Sequence, residues 1–162
     1  MRLYAVSVHW MNSGKQIDFE EYLSRYGSLT YKNRGTSMMP LLRQDRDLFT
    51  LVIKGPKRCK KNDVVLYKGP QGRYILHRVV RVLPEGYLIR GDNTYVNEFR
   101  TDGEIIGVMT GFIRDGREYT VTDAGYRLYS VMRNISYPFR YVYSKIIRAA
   151  GRFMDRRKKT RQ

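Results

Sequence analysis

The segment Gly35-Thr36-Ser37-Met38-Met39-Pro40 presents a serine between a flexible glycine and a turn-setting proline, a context that can hold a hydroxyl exposed. A serine hydroxyl is a weak nucleophile near neutral pH and needs an adjacent base. The side chains here that ordinarily titrate near neutrality are His9 and His77. His77 is the better placed, because it lies in Tyr74-Ile75-Leu76-His77-Arg78-Val79-Val80, where strand alternation puts it with Ile75 and Val79 on one face. A polar ring on an apolar face requires a partner. The plain alternative is a core histidine bonded to a backbone carbonyl, which is also the default for His9. The turn that follows, Arg90-Gly91-Asp92-Asn93-Thr94-Tyr95-Val96-Asn97-Glu98, returns two carboxylates towards His77. Either would accept the ring N–H, fix its tautomer and stabilise the imidazolium formed when serine loses its proton. For Asp92-Asn93 the competing reading is an Asx-turn.

These residues need elements to position them. Asp18, with Glu21 three residues on, and Phe19, Tyr22, Leu23 and Tyr26 at helical spacing before Gly27, predict a two-turn amphipathic helix. From Ser28 to Val121 the apolar residues come in short β-branched or aromatic runs: Leu48 to Ile53, Val64 to Tyr67, Tyr74 to Val82, Tyr87 to Ile89, Ile105 to Val108 and Tyr119 to Val121. Turn chemistry at Gly55-Pro56, Gly69-Pro70, Pro84-Glu85-Gly86, Gly91-Asp92-Asn93 and Asp115-Gly116 separates them, so the fold class expected is mainly β, a small barrel or sandwich. After Asp123 the period changes. From Pro138 a helix is expected with Phe139, Val142, Tyr143, Ile146, Ala150, Phe153 and Met154 on one face and Lys145, Arg148, Arg152 and Arg156 opposite. Three segments follow: an N-terminal helical segment at 1–27, a β-rich core at 28–123 and a basic amphipathic helical tail at 124–162.

A length of 162 residues suits one compact domain. Lys plus Arg number 31 against 15 Asp plus Glu, a net charge of +16, which implies anionic partners. One cysteine and two histidines leave no internal disulfide and no usual zinc set, so neither metal nor cofactor is expected. Cys59, between Arg58 and Lys60, reads as an ordinary thiol near the surface. No run approaches the roughly 18 apolar residues of a spanning helix, and Met1 to Trp10 is too short and mixed for a signal peptide. The expected location is cytoplasmic or peripheral to a membrane.

Gly-x-Ser-Met-x-Pro at 35–40, Asp-Val-Val at 63–65, His-Arg-Val at 77–79 and Gly-Asp-Asn at 91–93 occur in that order, and together they resemble signal peptidase I from Arg34 to about Phe112. Most bacterial members carry lysine where this chain has His77; histidine marks the archaeal and endoplasmic-reticulum type. The resemblance implies a signal-peptidase-like β-rich catalytic core, with Ser37 as nucleophile, His77 as general base and an acid as orienting group. Asp92 and Glu98 both stand as candidates, Glu98 where that type has an aspartate. Many bacterial members assist the oxyanion with a serine where this chain has Gly35. Here the Ser37 N–H and its neighbours Gly35, Thr36 and Met38 are expected to serve oxyanion and substrate. The family's N-terminal anchor is not seen, which favours a peptide or protein precursor as substrate over general secretory traffic. An extended substrate beside a strand edge, with small residues before the cut, is implied as well.

Two other classes remain open. A self-cleaving repressor shares the Gly-x-Ser-Met opening but uses lysine as base and needs a DNA-binding helix-turn-helix, for which Met1 to Gly27 is too short. A non-catalytic module would keep the fold and bind lipid or nucleic acid through its tail. That tail covers the β core, lies on an anionic membrane surface, or contacts nucleic acid, the last having the least support.

Overall fold

The computed structural model describes residues 18–147, so His9 and the tail positions from Arg148 onward, singled out above, lie outside the described residues. The chain divides into two compact units between Arg127 and Leu128.

In the first unit, helix α1 (Phe19–Tyr26) is bounded as its sequence predicts. Asp18 Oδ1 accepts the Glu20 and Glu21 N–H groups at 2.9 and 3.3 Å, and Gly27 ends the helix in the left-handed region at φ 76°. The helix buries Phe19 and Leu23. Gly107 on the sheet makes room for it: a Cβ there would stand 3.0 Å from Leu23 Cδ1.

Eight strands follow: β1 (Ser28–Lys32), β2 (Leu48–Ile53), β3 (Val64–Lys68), β4 (Tyr74–Leu83), β5 (Gly86–Arg90), β6 (Glu98–Thr101), β7 (Ile105–Arg114) and β8 (Arg117–Thr120). They form one antiparallel sheet in the order β1-β2-β7-β3-β4-β5-β6, with β8 on β7, curled into a half-barrel. Over the described residues strand exceeds helix, 38% against 28%, so the fold is mainly β. The curl has a local cause. β4 pairs with β3 over Tyr74 to Arg78 and with β5 over Arg78 to Leu83, and its register slips between Val79 and Arg81. Such a bulge bends the strand and raises its twist, which turns the second half of the sheet towards the first.

The runs read from the sequence fall on β2, β3, β4, β5, β7 and β8. β1 and β6 were not expected, and both end the strand order. Edge strands bury at most one face; β6, Glu-Phe-Arg-Thr, alternates half-buried and exposed and has no apolar run to find. β3 is the opposite case, with Val64 to Tyr67 all buried, hence its unbroken apolar run. The central cluster joins Val65, Tyr67, Val79, Tyr87, Ile89 and Ile105 with Cys59.

Cys59 is a correction to the sequence reading. It is buried rather than near the surface, and burial pushes its thiol up to about 11, so Arg58 and Lys60 do not make it reactive.

Helical structure also begins earlier than Pro138. Helix α2 (Ala124–Ile135) starts directly after Asp123, whose carbonyl takes the Arg127 N–H at 3.0 Å, and residues 137–147 are helical again with Pro138 in their first turn.

Candidate active site

The serine segment connects β1 to β2 and is held at both ends. Buried Asn33 donates Nδ2 to the Gly35 carbonyl at 2.8 Å and to the Leu42 carbonyl at 3.2 Å, tying the two sides of the turn together. Fully buried Asp47 accepts the Arg43 N–H at 2.8 Å, Arg43 Nε at 3.0 Å and Arg114 Nε at 3.1 Å. Met38 and Leu42 are buried, whereas Gly35 and Thr36 are exposed and Ser37 is half-buried. The backbone at Ser37 is therefore fixed by satisfied buried polar groups. Among the described residues none accepts the Ser37 N–H.

Strand pairing sets the His77 ring. His77 sits opposite Val65, one diagonal step from Tyr67 on the neighbouring strand. Its Nδ1 lies 3.1 Å from Glu98 Oε1 and 3.1 Å from the Tyr67 hydroxyl, which itself donates to Glu98 Oε2 at 2.9 Å. Arg100 completes the group, with Nη2 3.0 Å from Glu98 Oε2 and its guanidinium 4.7 Å from the Tyr67 ring centroid. The single Tyr67 proton goes to Glu98, so the neutral imidazole donates Nδ1–H towards the carboxylate and keeps its lone pair on Nε2. Burial pushes the imidazole below its ordinary pKa of 6.5, against the opposing pull of Glu98 and Asp92. Burial, then the Glu98 bond and charge, push the Tyr67 phenol well above its usual range, so it stays a donor. A neutral ring with a bare Nε2 is the state a general base needs.

The Gly91-Asp92-Asn93 turn brings ring and serine segment together, each residue through a different contact. A Cβ at Gly91 would stand 2.7 Å from the Ser37 carbonyl oxygen and 2.9 Å from His77 Nε2, so only glycine lets both atoms approach that point. The Asn93 N–H donates to the Ser37 carbonyl at 2.6 Å and Asn93 Nδ2 to the Thr36 carbonyl at 3.3 Å, clasping the segment from outside. Both Asp92 oxygens accept from Arg78, Nε to Oδ1 and Nη2 to Oδ2 at 2.8 Å each, a bidentate fork with Arg78 only 1% exposed.

Of the two carboxylates read from the sequence, Glu98 meets the ring. Asp92 makes no hydrogen bond to the ring and acts on it by charge alone. No hydrogen bond joins Ser37 Oγ to Nε2 in this structure; the serine's main chain and His77 Nε2 are what the turn juxtaposes.

Sequence reasoning missed Asn33, Asp47, Tyr67, Arg78 and Arg100. Arg78 carried a signal, since a cation between apolar neighbours in a strand calls for a counter-ion, and Asp92 was available. Tyr67 could be found only through the strand register. The cavity lined by Thr50, Gly111 and Tyr119 touches neither Ser37 nor His77. Among the described residues no three His, Cys, Asp or Glu side chains converge as metal ligands. No family model matches the sequence, and no curated protein matches it.

Two outcomes follow from this geometry. Asp92→Asn, which leaves Arg78 buried with half its fork, should cost about 3–5 kcal/mol in chemical denaturation, whereas Glu98→Gln should cost far less; equal losses would contradict the separate roles. Because the folded ring binds its proton less readily than the unfolded one, stability should decline as pH falls below about 6.5, and His77→Gln should flatten that slope.

Proposed function

We propose that this protein is a serine endopeptidase of the signal-peptidase type, histidine branch, cleaving a peptide or protein precursor through an acyl-enzyme on Ser37. The observation that carries the reading is the convergence at Gly91 of the Ser37 main chain and His77 Nε2, with Nδ1 engaged by Glu98. The order of the four motifs along the chain supports the same class.

In this reading Ser37 Oγ attacks the scissile carbonyl carbon while its proton passes to Nε2. Glu98 stabilises the imidazolium through Nδ1–H, and the carbonyl oxygen, now an oxyanion, accepts from the Ser37 N–H. As the C–N bond breaks, Nε2 returns the proton to the leaving amine. Water, deprotonated by the same nitrogen, then releases the acyl group. Tyr67 and Arg100 position Glu98 and touch no reacting atom. Small residues before the cut and pairing of the substrate along a strand edge come from the resemblance. A non-catalytic module on the same fold is the competing reading, and it draws on the unmade Oγ–Nε2 bond.

A library of fluorogenic peptides with small residues before the cut decides between them. Ser37→Ala and His77→Ala should each lower cleavage by about 10⁴, as members of one unit do; equal rates in the wild type and both variants would remove the peptidase assignment. Gly91→Ala should lower kcat/KM by at least about 10²-fold at unchanged far-UV circular dichroism, because the added methyl forces the serine segment and the ring apart. The acid limb of kcat/KM should have its midpoint below about 6.5, and Glu98→Gln should move it lower still, since that carboxylate raises the imidazole pKa. A limb shifted upward in the variant would contradict the Glu98 contact.

A further inference from the structure

The second unit carries a surface that the peptidase reading does not use. Leu128, Met132, Ile135, Phe139, Val142 and Ile146 recur at alternating steps of four and three residues, one stripe of a 3.6-residue helix. All six are exposed, from 55% at Met132 and Val142 to 76% at Phe139. The stripe keeps its phase past Ser136, because the Ser136 N–H reaches the Met132 carbonyl at 2.9 Å and the Arg140 N–H reaches the Ser136 carbonyl at 3.1 Å. Pro138 has no N–H to offer. Across this turn Arg140 donates Nη2 to the Arg133 carbonyl at 2.8 Å and Nε to Ser136 Oγ at 3.2 Å.

A row of large apolar side chains in water marks an interaction surface, and its charge surroundings name the partner. Residues 124–147 hold Arg127, Arg133, Arg140 and Lys145 and no acid, and 124–162 hold eleven Lys or Arg against one Asp. A nucleic acid would engage these cations and leave the apolar row wet. A second copy laid on the row would bring two strongly cationic segments together. A bilayer surface with anionic headgroups accepts both features, with the row in the acyl boundary and the cations at the phosphates. Among the described residues no helix is long and apolar enough to cross a membrane, so the segment would lie along the surface. We propose that the stripe from Leu128 to Ile146 is a docking surface for an anionic lipid bilayer, a site separate from the Ser37 and His77 chemistry.

The test is co-sedimentation of the full chain with phosphatidylcholine vesicles with and without phosphatidylglycerol. Phosphatidylglycerol should raise the bound fraction roughly tenfold or more, and added salt should reverse part of that gain. The double variant Phe139→Gln and Val142→Gln keeps every charge and replaces only exposed side chains, so it should fold normally by circular dichroism and lose roughly tenfold in binding. Equal binding to both vesicle types would overturn the proposal, and so would wild-type binding by the double variant. It would equally fail if vesicles were ignored while the double variant abolished self-association in sedimentation velocity, or abolished capture of duplex DNA.

Discussion

The close approach at Gly91 governs the site. A backbone carbonyl from the serine segment and a ring nitrogen from the middle of the sheet share a point that any other side chain would occupy. Such an approach holds only if both partners are stiff, and each is stiffened by buried polar groups. Asn33 and Asp47 fix the serine segment, while the Arg78–Asp92 fork ties the turn to β4 on the residue next to His77. The fork and the imidazole thus leave adjacent positions of one strand, and the same turn meets both. Taking the Arg78 and Asp92 charges out of water is costly, and their paired hydrogen bonds offset that cost only while both are present, so the turn has little freedom to slip.

The two carboxylates of the turn divide between Arg78 and the His77 ring because of where the strands leave them. Asp92 follows Gly91 directly and falls to the Arg78 side, fully paired. Glu98 opens β6, and that edge strand carries it to Nδ1 beside Tyr67. Because β3 is buried on both faces, Tyr67 occupies a dry position and its hydroxyl remains a proton donor. Desolvation and charge then act on the ring in opposite senses. Burial is the larger and keeps the imidazole neutral, while the Glu98 charge favours its protonated form.

Much of this was legible in the residues. Helix α1 was readable because both of its ends carry chemistry, Asp18 and Gly27, and the interior strands were readable because buried pleats need unbroken or alternating apolar runs. β1 and β6 were not, since edge strands carry too few apolar residues to stand out. Ser37, His77 and the acids of the turn could be named from type and order. Which acid meets the ring could not, because that depends on the β4 bulge and the β5–β6 pairing, which carry Glu98 six residues past Asp92 to the ring. Cys59 misled for a related reason: its charged neighbours Arg58 and Lys60 are exposed while Cys59 itself belongs to the core. α2 falls inside the segment expected to be a helical tail at 124–162, although the apolar spacing was read only from Pro138 onward.

The Glu98 and Tyr67 contacts put the His77 proton on Nδ1 and turn a bare Nε2 towards the serine segment. Imidazole ¹⁵N spectra report this directly, and with two histidines in the chain a His9→Gln background leaves a single ring to observe. Near neutral pH the account predicts a neutral ring with the proton on Nδ1 and an unprotonated Nε2. A ring protonated on Nε2 would contradict the Nδ1–Glu98 contact and leave the proposed base without its lone pair.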